Sequence, residues 1–228
     1  NMGATVFTKG NDSIGIEAQS IGGGGGNGGI AGTASLDVST DEGTSVAAAV
    51  SIGGFGGSGE NSGNVTVSSD DFIGTLGKGS IGILAQSVAG GGGNGGFSTD
   101  LTLSYSEGTN VSAGFALGGF GGKAASSAGS VLVTVDGAIV TTGDDAGAVV
   151  AQSIGGGGGV GGSTLGAQVG ASEDSIGVSA SVGGWGGAGG DGGSVTVKSN
   201  SPISTQGAQA SGILAQSIDG GGGNAGTT

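Results

Sequence analysis

Residues 81–96 read IGILAQSVAGGGGNGG. An apolar run closes on Ala-Gln-Ser and gives way to almost pure glycine. The same junction reads EAQSIGGGGGNGG from Glu17, LAQSVAGGGGNGG from Leu84, VAQSIGGGGGVGG from Val150 and LAQSIDGGGGNAG from Leu214. Its alanines stand at 18, 85, 151 and 215, so the intervals are 67, 66 and 64 residues. Working outward, a second landmark, GGFGG or GGWGG, is centred on Phe55, Phe120 and Trp185, each 65 residues apart. A third is the triplet VTV at 65–67, VLV at 131–133 and VTV at 195–197, followed at a fixed offset by Ile73, Ile139 and Ile203. Three landmarks with one period mark a tandem array, not low complexity. The chain reads as a single array over residues 1–228, with approximate repeats 18–84, 85–150 and 151–214 and a partial repeat at each end. Both ends read as cut from a longer chain.

Within a repeat, the glycine run leads into a short alternating stretch such as Leu101, Leu103 and Tyr105. A polar, acidic turn follows: DEGT at 41–44, EGTN at 107–110 or SEDS at 172–175. A second alternating stretch comes next, in which Val46, Ala48, Val50 and Ile52 share one face. Period-two alternation predicts β-strands with the apolar face buried. The aromatic glycine segment, the VTV strand, an Ile-containing strand and the Ala-Gln-Ser strand complete the unit. No helical period is present, and glycine at this density opposes helix. The expected fold is all-β: a parallel β-solenoid of repeats about 65 residues long. Two windings fit. Either the whole repeat coils through two or three rungs, or only the part from VTV to Ala-Gln-Ser coils and the strand–turn–strand unit projects as a β-hairpin on two glycine-rich arms.

Glycine accounts for 63 of 228 residues and proline for 1. Collagen is excluded, because it requires a strict G-X-Y period rich in proline. Recurrence of the glycine runs in phase predicts packed segments, backbone against backbone or against an aromatic ring, with a polyproline-II-like helix paired laterally through its amides as a further form open to them; flexible loops are the alternative. In a stacked array Gln19, Gln86, Gln152 and Gln216 are placed to form an amide ladder, and Phe55, Phe120 and Trp185 an aromatic row. That row is expected to pack on neighbouring glycine segments, in preference to stacking on sugars.

Seventeen Asp plus Glu against four Lys plus Arg give a net charge of −13. This balance disfavours nucleic acid, whose binding needs cationic side chains, and docking on an anionic membrane. No apolar run approaches a membrane span. There is no His and no Cys, so Ser-His-Asp and thiolate chemistry are excluded. Gly-Lys-Gly at 77–79 and Gly-Lys-Ala at 122–124 lack the Ser or Thr of a phosphate-binding loop. The acidic pairs Asp41-Glu42, Asp70-Asp71, Asp144-Asp145 and Glu173-Asp174 read as solvated turns more readily than as Ca²⁺ ligands, and the nonapeptide Ca²⁺ repeat, approached at residues 189–193, does not recur in phase. No catalytic, cofactor-binding or metal-binding residue is assigned, and the chain is not expected to be an enzyme.

The motif Gly-Ile-Leu-Ala-Gln-Ser-(Ile/Val) before a glycine run, at 82–96 and 212–224 with variants at 15–29 and 147–162, resembles the passenger region of Gram-negative autotransporter proteins. The pattern Ile-x-Thr-x-Gly at 73–77, 139–143 and 203–207 carries the same resemblance. It implies a right-handed β-helix, exported by a β-barrel translocator encoded elsewhere in the full chain and exposed at the cell surface or secreted. Such passengers are commonly adhesins, autoaggregation factors or biofilm components. The partners expected on that basis are a host or neighbouring-cell surface, or further copies of the chain. A self-assembling extracellular filament subunit and a polysaccharide-acting β-helical enzyme are the alternatives. The chain departs from ordinary β-helical passengers in the length of its glycine runs.

Overall fold

A computed structural model describes residues 5–40 and 42–228. Among them every regular element is a strand. In chain order these are β1 (Thr5–Thr8), β2 (Ile14–Ile21), β3 (Ala31–Ser39), β4 (Ser45–Ile52), β5 (Val65–Ser69), β6 (Phe72–Thr75), β7 (Ile81–Val88), β8 (Ser98–Ser106), β9 (Thr109–Leu117), β10 (Val131–Val135), β11 (Ile139–Thr141), β12 (Val149–Ile154), β13 (Thr164–Ala171), β14 (Asp174–Val182), β15 (Val195–Ser199), β16 (Ile203–Thr205) and β17 (Ile213–Ile218). They form five sheets with orders β1-β6-β11-β16, β15-β10-β5, β17-β12-β7-β2, β13-β8-β3 and β14-β9-β4. All the pairings are parallel, and each joins a strand to its equivalent in the adjacent repeat, as in Val65↔Val131↔Val195 and Ala18↔Ala85↔Ala151↔Ala215. One repeat therefore supplies one strand to each sheet, and a repeat does not wind through several rungs.

Three of the sheets enclose an apolar core of Val65, Val67, Ile73, Ile83, Ala85, Val131, Val133, Val135, Ile139, Ala148, Val149 and Ala151. The β-branched residues that favour a pleated strand stack on their own kind, Ile73 beside Ile139 and Val67 beside Val133. The turn into the Ala-Gln-Ser strand uses a left-handed residue in each layer: Asp12, Gly79, Asp145 and Gln209 all have φ between 52° and 66°.

The strand–turn–strand unit projects from this three-sheet core but is not a hairpin. β3 and β4 lie in different sheets, as do β8 and β9, and β13 and β14. A hairpin would join the two strands by backbone hydrogen bonds; here their backbones bond along the stack, and they meet only through side chains. The result is a two-sheet fin. Thr33 donates across it to the Val50 carbonyl (2.9 Å), Ser45 to Asp37 (2.6 Å) and Gln168 to the Val178 carbonyl (2.6 Å).

Candidate functional site

The glycine segments connect coil to fin. The first arm occupies 22–30, 89–97, 155–163 and 219–228; the second occupies 53–64, 118–130 and 183–194. Their backbone bonds follow a three-residue period. Gly22 donates to Val88 at the end of β7, and Gly25 and Gly28 to Gly91 and Asn94 of the same arm one repeat on, at 2.8 Å each. Gly90, Gly93 and Gly96 donate instead to Glu60, Gly57 and Gly54 of the antiparallel second arm. The second arm does likewise: Gly54 and Gly57 reach Gly29 and Gly26. Three residues per turn with no internal hydrogen bonds is the polyproline II geometry. It turns two of every three N–H groups toward neighbouring arms and the third outward.

This explains the sequence inside the runs. A side chain at an inward phase would strike a neighbouring backbone: a Cβ on Gly93 would overlap the Gly26 carbonyl, whereas one on Gly157 meets only the Gly221 oxygen at 3.8 Å. Asn27, Asn94 and Val160 occupy the outward phase of the first arm, and Phe55, Phe120 and Trp185 that of the second. The Asn94 backbone N–H donates to Asn27 Oδ1 and the Val160 N–H to Asn94 Oδ1, each at 2.9 Å. The Gly-Gly-x rhythm around the aromatics was visible in the sequence as a landmark, but its three-residue period was the signal that located every outward side chain.

The aromatic row lies on the outer side of the second arm. Phe55 and Phe120 stack with ring centroids 4.9 Å apart at 20°; Phe120 and Trp185 lie 4.8 Å apart at 52°. The rings pack on one another, and Phe55 and Trp185 remain 58% and 60% exposed. Mutual stacking occupies ring faces that a sugar would need.

Ala-Gln-Ser resolves into three tasks. Ala85 and Ala151 sit in the core. On the opposite face the glutamines form one continuous ladder: Gln19 Nε2 donates to Gln86 Oε1 (2.8 Å), Gln86 to Gln152 (2.6 Å) and Gln152 to Gln216 (2.7 Å). The serines, which sequence reading passed over, tie the strand to the end of the second arm. Ser87 Oγ accepts from the Gly129 N–H (2.9 Å) and donates to the Gly63 carbonyl (3.0 Å); Ser153 does the same with Gly193 (2.7 Å) and Gly129 (2.9 Å).

The fin overturns the expected burial. Ser98, Asp100, Thr102, Ser104 and Ser106 of β8 are buried, as are Asn110 and Ser112 of β9, while Leu101, Leu103, Tyr105 and Phe115 face solvent. The same inversion holds in the first repeat, where Ala47, Ala49 and Ser51 are buried and Val46, Val50 and Ile52 exposed. The cause lies at the base of the fin. Sheets carrying full-sized side chains pack about 10 Å apart, but these two sheets spring from arms joined by direct backbone hydrogen bonds. Only Ser, Thr, Ala, Gly and a few short polar residues fit between them. Burial pushes the Asp100 carboxyl above its usual range, and its Oδ1 is buried without a hydrogen-bond partner.

At the fin tip, Tyr105, Ser106, Glu107, Ala171, Ser172 and Glu173 line an open depression of about 350 Å³. Its two carboxylates, Glu107 and Glu173, come from successive repeats. Of the acidic pairs, Asp145 meets Lys78 at 3.5 Å in an exposed turn, and Asp144 accepts from the Ala208 N–H at 2.8 Å. Asp41 lies outside the described residues. Among the described residues no group of three or more acids is close enough to hold a metal ion. No family model matches the chain, and no curated protein or solved structure is detectably similar to it.

Proposed function

We propose that the chain is a surface-displayed repeat scaffold, the passenger part of a Gram-negative autotransporter, and that it serves adhesion or self-association. On this reading the five parallel sheets are the faces of a right-handed solenoid with one repeat of about 65 residues per layer. A β-barrel translocator elsewhere in the full chain would present it outside the cell. The observation that carries the reading is the fin, which displays in-register apolar rows to solvent on two faces. Exposed apolar surface of that extent marks an interaction site. The ladders support it, since backbone and side-chain bonding along the stack gives an extended chain the stiffness to hold such a surface away from its anchor.

Displaying residues 1–228 on cells through a heterologous β-barrel tests this. Cells carrying the segment should clump or adhere to an abiotic or cellular surface more than cells carrying the barrel alone. Equal behaviour of the two would overturn the proposal.

A further inference from the structure

The apolar faces of the fin are not covered by any part of this chain among the described residues. On one face Leu36 is 74% exposed, Leu103 37% and Val169 56%; on the other Val46, Val50 and Ile176 are 65%, 61% and 57% exposed. Leu36, Leu103 and Val169 are register partners, as are Val46, Val111 and Ile176. The side chains therefore stand in straight rows along the stack, at the strand spacing of about 4.8 Å. Summed over its large apolar side chains, each face exposes on the order of 600–700 Å², above the few hundred Å² usual for a monomer's patches and near the ~800 Å² per partner of a stable interface.

We infer that the fin is a mating surface for a second copy of this chain, face against face. The inference rests on the self-association side of the proposed function and assigns it a place. Three features favour a copy of the chain as the occupant. The area matches what a dimer requires. Apart from Asp174 at the tip end of β14, the outward positions of the fin strands carry no charge in any repeat, so apposing two faces brings few like charges together, whereas the acidic tips at Glu42, Glu107, Glu173 and Asp174 oppose entry into an anionic lipid surface. A second array also has ridges at the same spacing, so its rows interdigitate along the whole length, as stacked sheets with matching rows do.

The test uses the purified chain. Sedimentation from about 1 to 200 µM should show a reversible dimer or larger lateral assembly, weakened at least tenfold in the variant Leu36→Thr/Leu103→Thr/Val169→Thr. Threonine keeps the strand preference of this solvent-facing row, and circular dichroism checks that the variant folds. Because the chain has no Cys, a second measurement stands even if it does not. Leu103→Cys should cross-link between copies through a short bis-maleimide, while Thr134→Cys, on the outer side of the coil, should not. A chain that stays monomeric throughout overturns the inference and leaves surface adhesion to the displayed-cell assay. Association unchanged in the threonine variant, or cross-linking through position 134 instead, overturns it in favour of another face. Flotation of monomer with phosphatidylcholine vesicles overturns it in favour of lipid.

Discussion

Single residues in this chain are chosen by what lies a repeat away rather than by their sequence neighbours. Gly93 lies against the Gly26 carbonyl of the preceding repeat, and Ser87 holds Gly63 and Gly129 at once. Gly93→Ala is therefore expected to cost about 1–3 kcal/mol or more through overpacking of backbone against backbone, whereas Gly157→Ala, at an outward phase, should lie within roughly 0.5 kcal/mol of the parent. Denaturant unfolding of both variants distinguishes this lattice from a flexible loop, in which the two changes would be equivalent. Ser87→Ala removes one hydroxyl, strands the Gly63 carbonyl and leaves the Gly129 N–H only its longer bond to Ser62 Oγ at 3.2 Å. A loss of about 1–3 kcal/mol follows from leaving buried polar groups unpartnered, and the midpoint of unfolding reads it.

At the scale of the element, the fin strands violate the usual rule that alternation buries its apolar side. Ala49 is 5% exposed and Val50, its neighbour, 61%. Ala49→Leu should destabilise by about 1–3 kcal/mol because the gap between the sheets has no room, while Val50→Ser should change stability by only about 0.5 kcal/mol. A conventional buried apolar face predicts the reverse order in a thermal melt. Asp100 gives the fin a pH dependence. Burial raises its folded pKa, so its neutral form is favoured in the fold: the stabilising contribution is complete below the unfolded pKa and is lost as pH rises through the raised folded value. Asp100→Asn should therefore stabilise the chain above the raised folded pKa and remove part of the loss as pH rises through it, measured as the melting temperature against pH.

For the whole molecule, the balance is between a net charge of −13 and fin faces whose outward strand positions carry a single charge, Asp174. Long-range repulsion between copies is screened over about 8 Å at physiological ionic strength. If copies mate through their fins, the association should strengthen as salt rises from about 10 mM to 150 mM, because the apolar contact survives screening and the repulsion does not. Light scattering across that series reads the effect; weakening with salt would point to ionic contacts instead.

Much of this architecture was written in the sequence. The recurrence of Ala-Gln-Ser, of the aromatic glycine segment and of VTV determined that equivalent residues would lie together, and with that the glutamine and aromatic ladders. Those are consequences of period alone, because a parallel stack places each residue on its own counterpart. The glycine runs also announced close packing, and their Gly-Gly-x rhythm held the outward phase for anyone reading in threes. What only the tertiary structure decided was the inside and outside of the fin. Alternation states that a strand has two faces, and hydrophobicity names the apolar one as the core, but the space available is set at the arms. There, N–H and carbonyl groups of Gly54 and Gly29 bond directly at 2.9 Å, which leaves no room for Val, Leu or Tyr between the sheets and turns them toward solvent.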